Sequence, residues 1–234
     1  MITLALDTSS RACSAAVTKD GVLLSEGYLN NGMTHSRTLL PLIESALENA
    51  SLGFGDLERI AVSAGPGSFT GLRIGLSMAK GIAFVRQLPC VPVSTLEALA
   101  YNAAGWRGPV LAVLDARAGQ VYAALFELGT DPGGEAPVLR LWDDAAMTLE
   151  ELAQRLPEGA LAVGDGAALV CQKIQGKGLV PAPERMRLQR ASSVAAAAEH
   201  LPAVSADALS PAYLRRPQAE REREARLKAE ASGL

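Results

Sequence analysis

Apolar positions along this chain fall into short blocks that switch between strand-like and helix-like spacing. Residues 2–6 form a buried strand pattern that stops at Asp7-Thr8-Ser9-Ser10. The runs 13–18 and 22–28 flank Asp20-Gly21, a pair whose tolerance of positive φ suits a two-residue hairpin turn. Leu39, Leu42, Ile43, Ala46, Leu47 and Ala50 then recur with helical period behind Thr34, a candidate cap. Pro41 lies inside that run and predicts a kink or a late helix start. A strand over 60–63 breaks at Gly65-Pro66-Gly67-Ser68 and feeds a helix over 70–85. A short strand over 90–93 and a helix from Ser94 to about Ala104 follow.

The pattern restarts in reduced form near Gly108. Strands over 110–114 and 120–125 are joined through Asp115-Ala116-Arg117-Ala118-Gly119, and Asp131-Pro132-Gly133-Gly134 reads as a surface loop. A strand over 138–141, a helix over 149–156 and a strand over 160–163 running into Gly164-Asp165-Gly166 come next. An alanine-rich helix over 192–200 completes the series. Antiparallel hairpins mixed with crossover helices predict an α/β fold with a mixed sheet, and the two similar openings suggest a duplication. From Gln218 to Glu230 the charges alternate without apolar period, as in a solvated helix or frayed tail.

Composition narrows the function classes. The chain has 234 residues, 49% hydrophobic and 4% aromatic, so alanine, leucine and valine must fill the core. A net charge of −3 argues against gripping nucleic acid unaided, which calls for a basic surface. The three cysteines, Cys13, Cys90 and Cys171, are widely spaced and fit neither a disulfide framework nor a paired-cysteine zinc site. No basic, apolar leader and no membrane-length apolar stretch is evident. The expected setting is cytoplasmic, without a membrane.

Two features carry candidate chemistry. The glycine-rich segment 65–75, placed between a strand and a helix, can hold an anion on free N–H groups or admit another backbone closely. It is neither a Walker loop nor a dinucleotide fingerprint. The helix behind it carries only Arg73 and Lys80 as charges and is apolar on several sides, so it must be covered widely. Gly71, Gly75, Ala79 and Ala83 form a smooth ridge on it, suited to the parent sheet or to a second chain.

Leu4-Ala5-Leu6-Asp7-Thr8-Ser9, the run His35-Ser36-Arg37-Thr38-Leu39-Leu40-Pro41 and the 65–75 segment together resemble the bacterial TsaB proteins. So do Val93-Ser94-Thr95-Leu96, Asp115-Ala116-Arg117 with Val121-Tyr122, and Pro211-Ala212-Tyr213-Leu214-Arg215. The matches run in order from residue 2 to about 215. The resemblance implies an actin-like ATPase fold, of the sugar-kinase and Hsp70 kind, with half-domains over 1–106 and 107–216. The second is shortened, and a charged tail covers 217–234. It also implies a role as a non-catalytic partner in making threonylcarbamoyladenosine beside the tRNA anticodon. In that process the paralogue TsaD transfers threonylcarbamoyl from threonylcarbamoyl-AMP to the adenine amine, and the ATPase TsaE joins the assembly. The chain is expected to pair with TsaD and to meet tRNA only through the complex, and the same face is compatible with a homodimer when TsaD is absent. The expected interface comprises His35, Leu39, Leu42, Gly67, Phe69, Gly71, Arg73, Gly75, Met78 and Ala79.

Departures from the catalytic paralogue sharpen that expectation. Where its helix bears two histidines four residues apart, this chain has Thr95 and Leu99, which cannot replace imidazole ligands. No metal and no resident cofactor is expected, although a nucleotide at the partner interface is compatible with the fold. Within the wider fold, Asp7, Ser9, Asp115, Gly164 and Asp165 stand where vestigial nucleotide contacts would lie. Asp7 and Asp115 serve equally well as polar caps of strand ends. The competing function is an autonomous ATP phosphohydrolase or kinase, which the two aspartate-bearing hairpins motivate.

Overall fold

The computed structural model describes residues 1–129 and 138–215. The Asp131–Gly134 loop and the charged tail read from the sequence lie outside the described residues. In the first half, β1 (Ile2–Asp7), β2 (Cys13–Lys19) and β3 (Val22–Leu29) form a meander. Helix α1 (His35–Asn49), β4 (Arg59–Gly65), α2 (Phe69–Arg86), β5 (Cys90–Ser94) and α3 (Thr95–Tyr101) follow. The sheet order is β3-β2-β1-β4-β5, with β1, β4 and β5 parallel and the meander antiparallel. Asp20 and Gly21 both take positive φ, 52° and 79°, which turns the β2–β3 hairpin as the dipeptide predicts.

The second half repeats this order. Its strands are β6 (Gly108–Asp115), β7 (Gln120–Leu128), β8 (Val138–Arg140), β9 (Ala145–Thr148), β10 (Leu161–Val163) and β11 (Val180–Pro181). They pair as β11-β10-β6-β7-β8, with β9 alongside β7. Reading β6 as the counterpart of β1, this is the same sequence of parallel and antiparallel neighbours. The duplicated sheet is the actin-like arrangement that the resemblance implies. Shortening shows in the helices: α4 (Leu149–Arg155) and α5 (Ala167–Lys173) have seven residues each, against eighteen in α2. The elements β9, α5 and β11 are absent from the sequence reading; β9 and β11, of four and two residues, are too short to show a period.

Helices α1 and α2 cover one face of the first sheet through Leu39, Ile43, Leu72, Leu76 and Ala79. The other face is lined by the small side chains Ala5, Ala16 and Ala61 at its centre, with Val91 and Val93 on β5, and receives α6 (Ala191–Ala198), itself mostly alanine. Small residues on both sides let helix and sheet approach closely, which is how a chain poor in aromatics still packs densely. Helix α3 sits at the junction, with Ala98 toward the first sheet and Leu96, Leu99 and Ala100 toward Phe126 of the second. Helices α4 and α5 cover the far side through Leu152, Leu156 and Val170.

Three expectations change here. Residues 191–198, allotted by sequence order to the second half-domain, pack on the first sheet. Glu26 fixes the start of that helix, accepting from Arg190 Nη2 at 2.8 Å and from Ser192 N at 3.0 Å, and Arg59 binds the Ala198 carbonyl at its end. Helix α1 runs unbroken through Pro41, which is exposed, so water can serve the carbonyl that loses its N–H. Thr34 occupies the cap position without a side-chain cap bond; its carbonyl accepts from Arg37 N instead.

Candidate functional site

The glycine segment is a packing device. Ser68 N donates to Ser9 O at 2.7 Å, and Thr8 Oγ1 donates to Gly71 O at 2.7 Å. A Cβ on Gly71 would lie 2.0 Å from Thr8 O, one on Gly67 2.4 Å from Ser9 O, and one on Gly75 2.5 Å from Thr8 Oγ1. Helix α2 therefore presses directly onto the loop that leaves β1, and of the two readings close backbone approach prevails. Ser68 caps the helix by accepting from Gly71 N at 3.2 Å.

This corrects part of the expected interface. Gly71, Gly75 and Ala79, with Ala83, form a ridge that faces inward and is buried, as is Leu39. Leu42 is half-buried against Gly27, and His35 turns to the β1 loop, its Nε2 2.8 Å from Ser10 O. Gly67 belongs to the cleft described below. Phe69, Arg73 and Met78 remain on the outer side of α2. There, with Ile74, Ile82 and Ser36 of α1, they line an open, largely apolar groove of about 700 Å³. Farther along the helix Phe84 and Val85 are 74% and 81% exposed.

A second concavity, a cleft of about 390 Å³, separates the half-domains. Its walls are the loop after β1 (Ser9, Ser10, Arg11), the start of α2 (Gly67, Ser68, Phe69) and the β6–β7 hairpin (Asp115, Ala116, Arg117). Asp7 stands behind this wall, fully buried. Its carboxylate accepts from Ser9 N and Ser9 Oγ at 3.0 Å and closely from Ser63 Oγ. Burial raises its pKa, and the Ser63 and Ser9 hydrogen bonds pull the other way. Asp7 is thus a strand-end cap without access to the cleft, which removes it from the nucleotide contacts.

Asp115 differs. It is exposed, accepts from Arg117 N at 2.8 Å, and lines the cleft with Asp165, whose Oδ1 accepts from Asp115 N at 3.0 Å. Burial raises the Asp165 pKa, and the nearby Arg11 and Arg117 oppose that shift. Gly164 has φ +105°, and a Cβ there would lie 2.0 Å from Val113 O, so it sets β10 tightly against β6. Arg117 and Ala118 both take positive φ, 65° and 52°, a conformation that L side chains resist.

Residues 211–215 cross the cleft mouth. Ala212 N donates to Ala64 O at 2.7 Å, and the Tyr213 ring stacks on Phe69 with centroids 4.8 Å apart. Arg73 lies over the Phe69 ring at 3.9 Å and donates from Nε to Tyr213 Oη at 3.2 Å, while Arg215 Nη1 donates to Ala116 O at 2.6 Å. Sequence reasoning placed these residues only within a family motif. A tyrosine in so aromatic-poor a chain was the available signal for a contact.

Thr95 and Leu99, at the paralogue's histidine positions, are both fully buried. Among the described residues no three His, Cys, Asp or Glu side chains gather as a ligand set, and no helix is long and apolar enough to cross a membrane.

The family model described as "TsaD: tRNA N6-adenosine threonylcarbamoyltransferase" matches residues 31–139. The solved structure of YeaZ from Pseudomonas aeruginosa is 30% identical, with a TM-score of 0.76, and the match spans 91% of this chain and 99% of that one. The chain belongs to the TsaB (YeaZ) family. Its TsaB relative from Haemophilus influenzae, a "tRNA threonylcarbamoyladenosine biosynthesis protein", is 41% identical over 123 residues, 51% of each chain. The TsaB of Bacillus subtilis is 36% identical over 127 residues, 54% of this chain and 56% of that protein. The chain thus spans about half the length of the curated TsaB relatives it matches, and the YeaZ structure carries the correspondence through the second half.

Proposed function

We propose that this chain is a non-catalytic subunit in forming tRNA N6-threonylcarbamoyladenosine in the cytoplasm, and that it acts by docking the transferase TsaD through the α1–α2 groove. TsaD then moves threonylcarbamoyl from threonylcarbamoyl-AMP to the adenine amine, TsaE joins, and tRNA is met through the complex. The observation that carries this reading is the near-complete correspondence with YeaZ, joined to relatives named for threonylcarbamoyladenosine biosynthesis. The groove supplies a means: Ile74, Met78 and Ile82 offer apolar area, with Phe84 and Val85 exposed beyond it. TsaD as a paralogue would present a matching pair of helices, and a second copy of this chain could occupy the same face when TsaD is absent.

Threonylcarbamoyl transfer to tRNA, reconstituted with and without this chain, tests the role. Met78→Asp tests the surface: TsaD binding should fall at least about tenfold, as for a central apolar anchor, measured at a temperature where circular dichroism shows the variant folded. Undiminished TsaD binding by that variant refutes the docking assignment. The exposed Asp115 in the cleft beside Arg11 and Arg117 favours a second reading, an autonomous ATP phosphohydrolase or kinase. Steady ATP turnover by the purified chain, lost in Asp115→Asn, would establish that reading in place of the first.

A further inference from the structure

The ring of Phe69 lines both concavities: it closes one end of the cleft and forms part of the groove wall. Whatever fixes this ring fixes a boundary that the two share. The groups that fix it are Tyr213, stacked on one side, and Arg73, which lies over the ring and is tied to the Tyr213 hydroxyl. The segment carrying Tyr213 is held at three points on different parts of the molecule. Leu209 is buried in the first core, Ala212 N is bonded to the end of β4, and Arg215 reaches the carbonyls of Ala116 and Arg117 in the second half. Gly65 admits it, because a Cβ there would lie 2.5 Å from Ala212 O. The far attachment is the hairpin in which Arg117 and Ala118 sit at positive φ. Such a hairpin needs outside support to keep its shape.

From this geometry we infer that residues 211–215 are a strap that couples the spacing of the two half-domains to the shape of the α1–α2 groove, with Tyr213 as the positioning residue. With the strap seated, Arg215 holds the hairpin and Tyr213 holds Phe69. Separation of the halves pulls Arg215 off its carbonyls, unseats Tyr213 and frees the groove wall. The consequence for partner binding rests on the docking reading above; the coupling itself does not.

Hydrogen exchange on the full chain, without partner, tests the coupling. Tyr213 is 38% exposed, so its removal leaves the core intact. In Tyr213→Ala, exchange should rise about three- to tenfold both at Gly71 and Leu72 in the first turn of α2 and at Ala116 and Gln120 in the hairpin. Tyr213→Phe, which keeps the stack, should stay within about twofold of the parent chain. Arg215→Ala should raise exchange at both ends in the same way. If it loosens Ala116 and Gln120 alone, leaving Gly71 and Leu72 at the parent rate, the ends are independent and the strap is refuted. Binding of TsaD to Tyr213→Ala should fall by a similar factor and recover in Tyr213→Phe. A parent chain that does not bind TsaD overturns the docking reading, and the exchange result still decides the strap. A Tyr213→Ala chain with raised exchange at both ends but unchanged TsaD affinity overturns the link to docking.

Discussion

The two half-domains end their first strands on an aspartate in the same topological place, and treat it in opposite ways. Asp7 is fully buried at the end of β1, sealed by Ser9 and Ser63 and inaccessible from the cleft. Asp115 stands in the open beside Arg117, its carboxylate exposed to the cleft although Asp165, just before α5, accepts from its backbone N–H. The same side chain on the same strand is a framework group in one half and an available one in the other. What separates them is what closes over the carboxylate: Ser9 and Ser63 seal Asp7, at the start of a loop on which α2 packs closely, whereas the Asp115 carboxylate accepts from Arg117 N at the open cleft.

Removing that closeness should have the largest effect. Gly71→Ala puts a Cβ 2.0 Å from Thr8 O, backbone against backbone, and should cost roughly 3 kcal/mol or more in urea denaturation. A variant as stable as the parent would show that α2 does not press on the β1 loop. Truncating the aspartates should separate the halves next. Asp7→Ala leaves Ser9 N and the Ser63 hydroxyl without their buried acceptor and should cost about 2–3 kcal/mol, whereas Asp115→Ala should stay within about 0.5 kcal/mol. Equal losses would erase the contrast.

A pH series gives a finer test. Burial raises the folded-state pKa of Asp7, so as pH climbs above about 4 the unfolded chain releases a proton that the folded chain keeps. This group's contribution to stability therefore falls from that point up through its folded value. The stability difference, parent minus Asp7→Asn, should decline with pH across that window, and a flat difference would mean the carboxyl is not raised. The smallest effect is expected at Gly81→Ala, on the outer side of α2 with nothing within 4 Å of an added Cβ. It should gain about 0.5–1 kcal/mol in the same denaturation experiment, and a loss would reveal crowding there.

Sequence periodicity made the larger elements legible. The β2–β3 hairpin, α1 and α2 follow from Asp20-Gly21 and from apolar spacing, and two similar openings pointed to the repeated sheet. Periodicity identifies which residues share a face but not what lies opposite. Gly71, Gly75 and Ala79 were correctly grouped as a ridge, while its inward direction depends on Thr8, more than sixty residues earlier. The alanine run of α6 has apolar residues on most sides, so nothing in it names the first sheet as its destination. The Phe69–Tyr213 stack joins positions whose local sequences contain no trace of each other.

The placement of α6 has a consequence for how the molecule comes into being. One side of the first sheet, with Ala5, Ala16 and Ala61, is roofed by residues 191–198. A ribosome making this chain must therefore deliver most of the second half before the opening strands gain that cover. A nascent chain halted before residue 191 would leave Ala5, Ala16, Ala61, Val91 and Val93 without that roof, the kind of shallow apolar face that chaperones hold until synthesis is done.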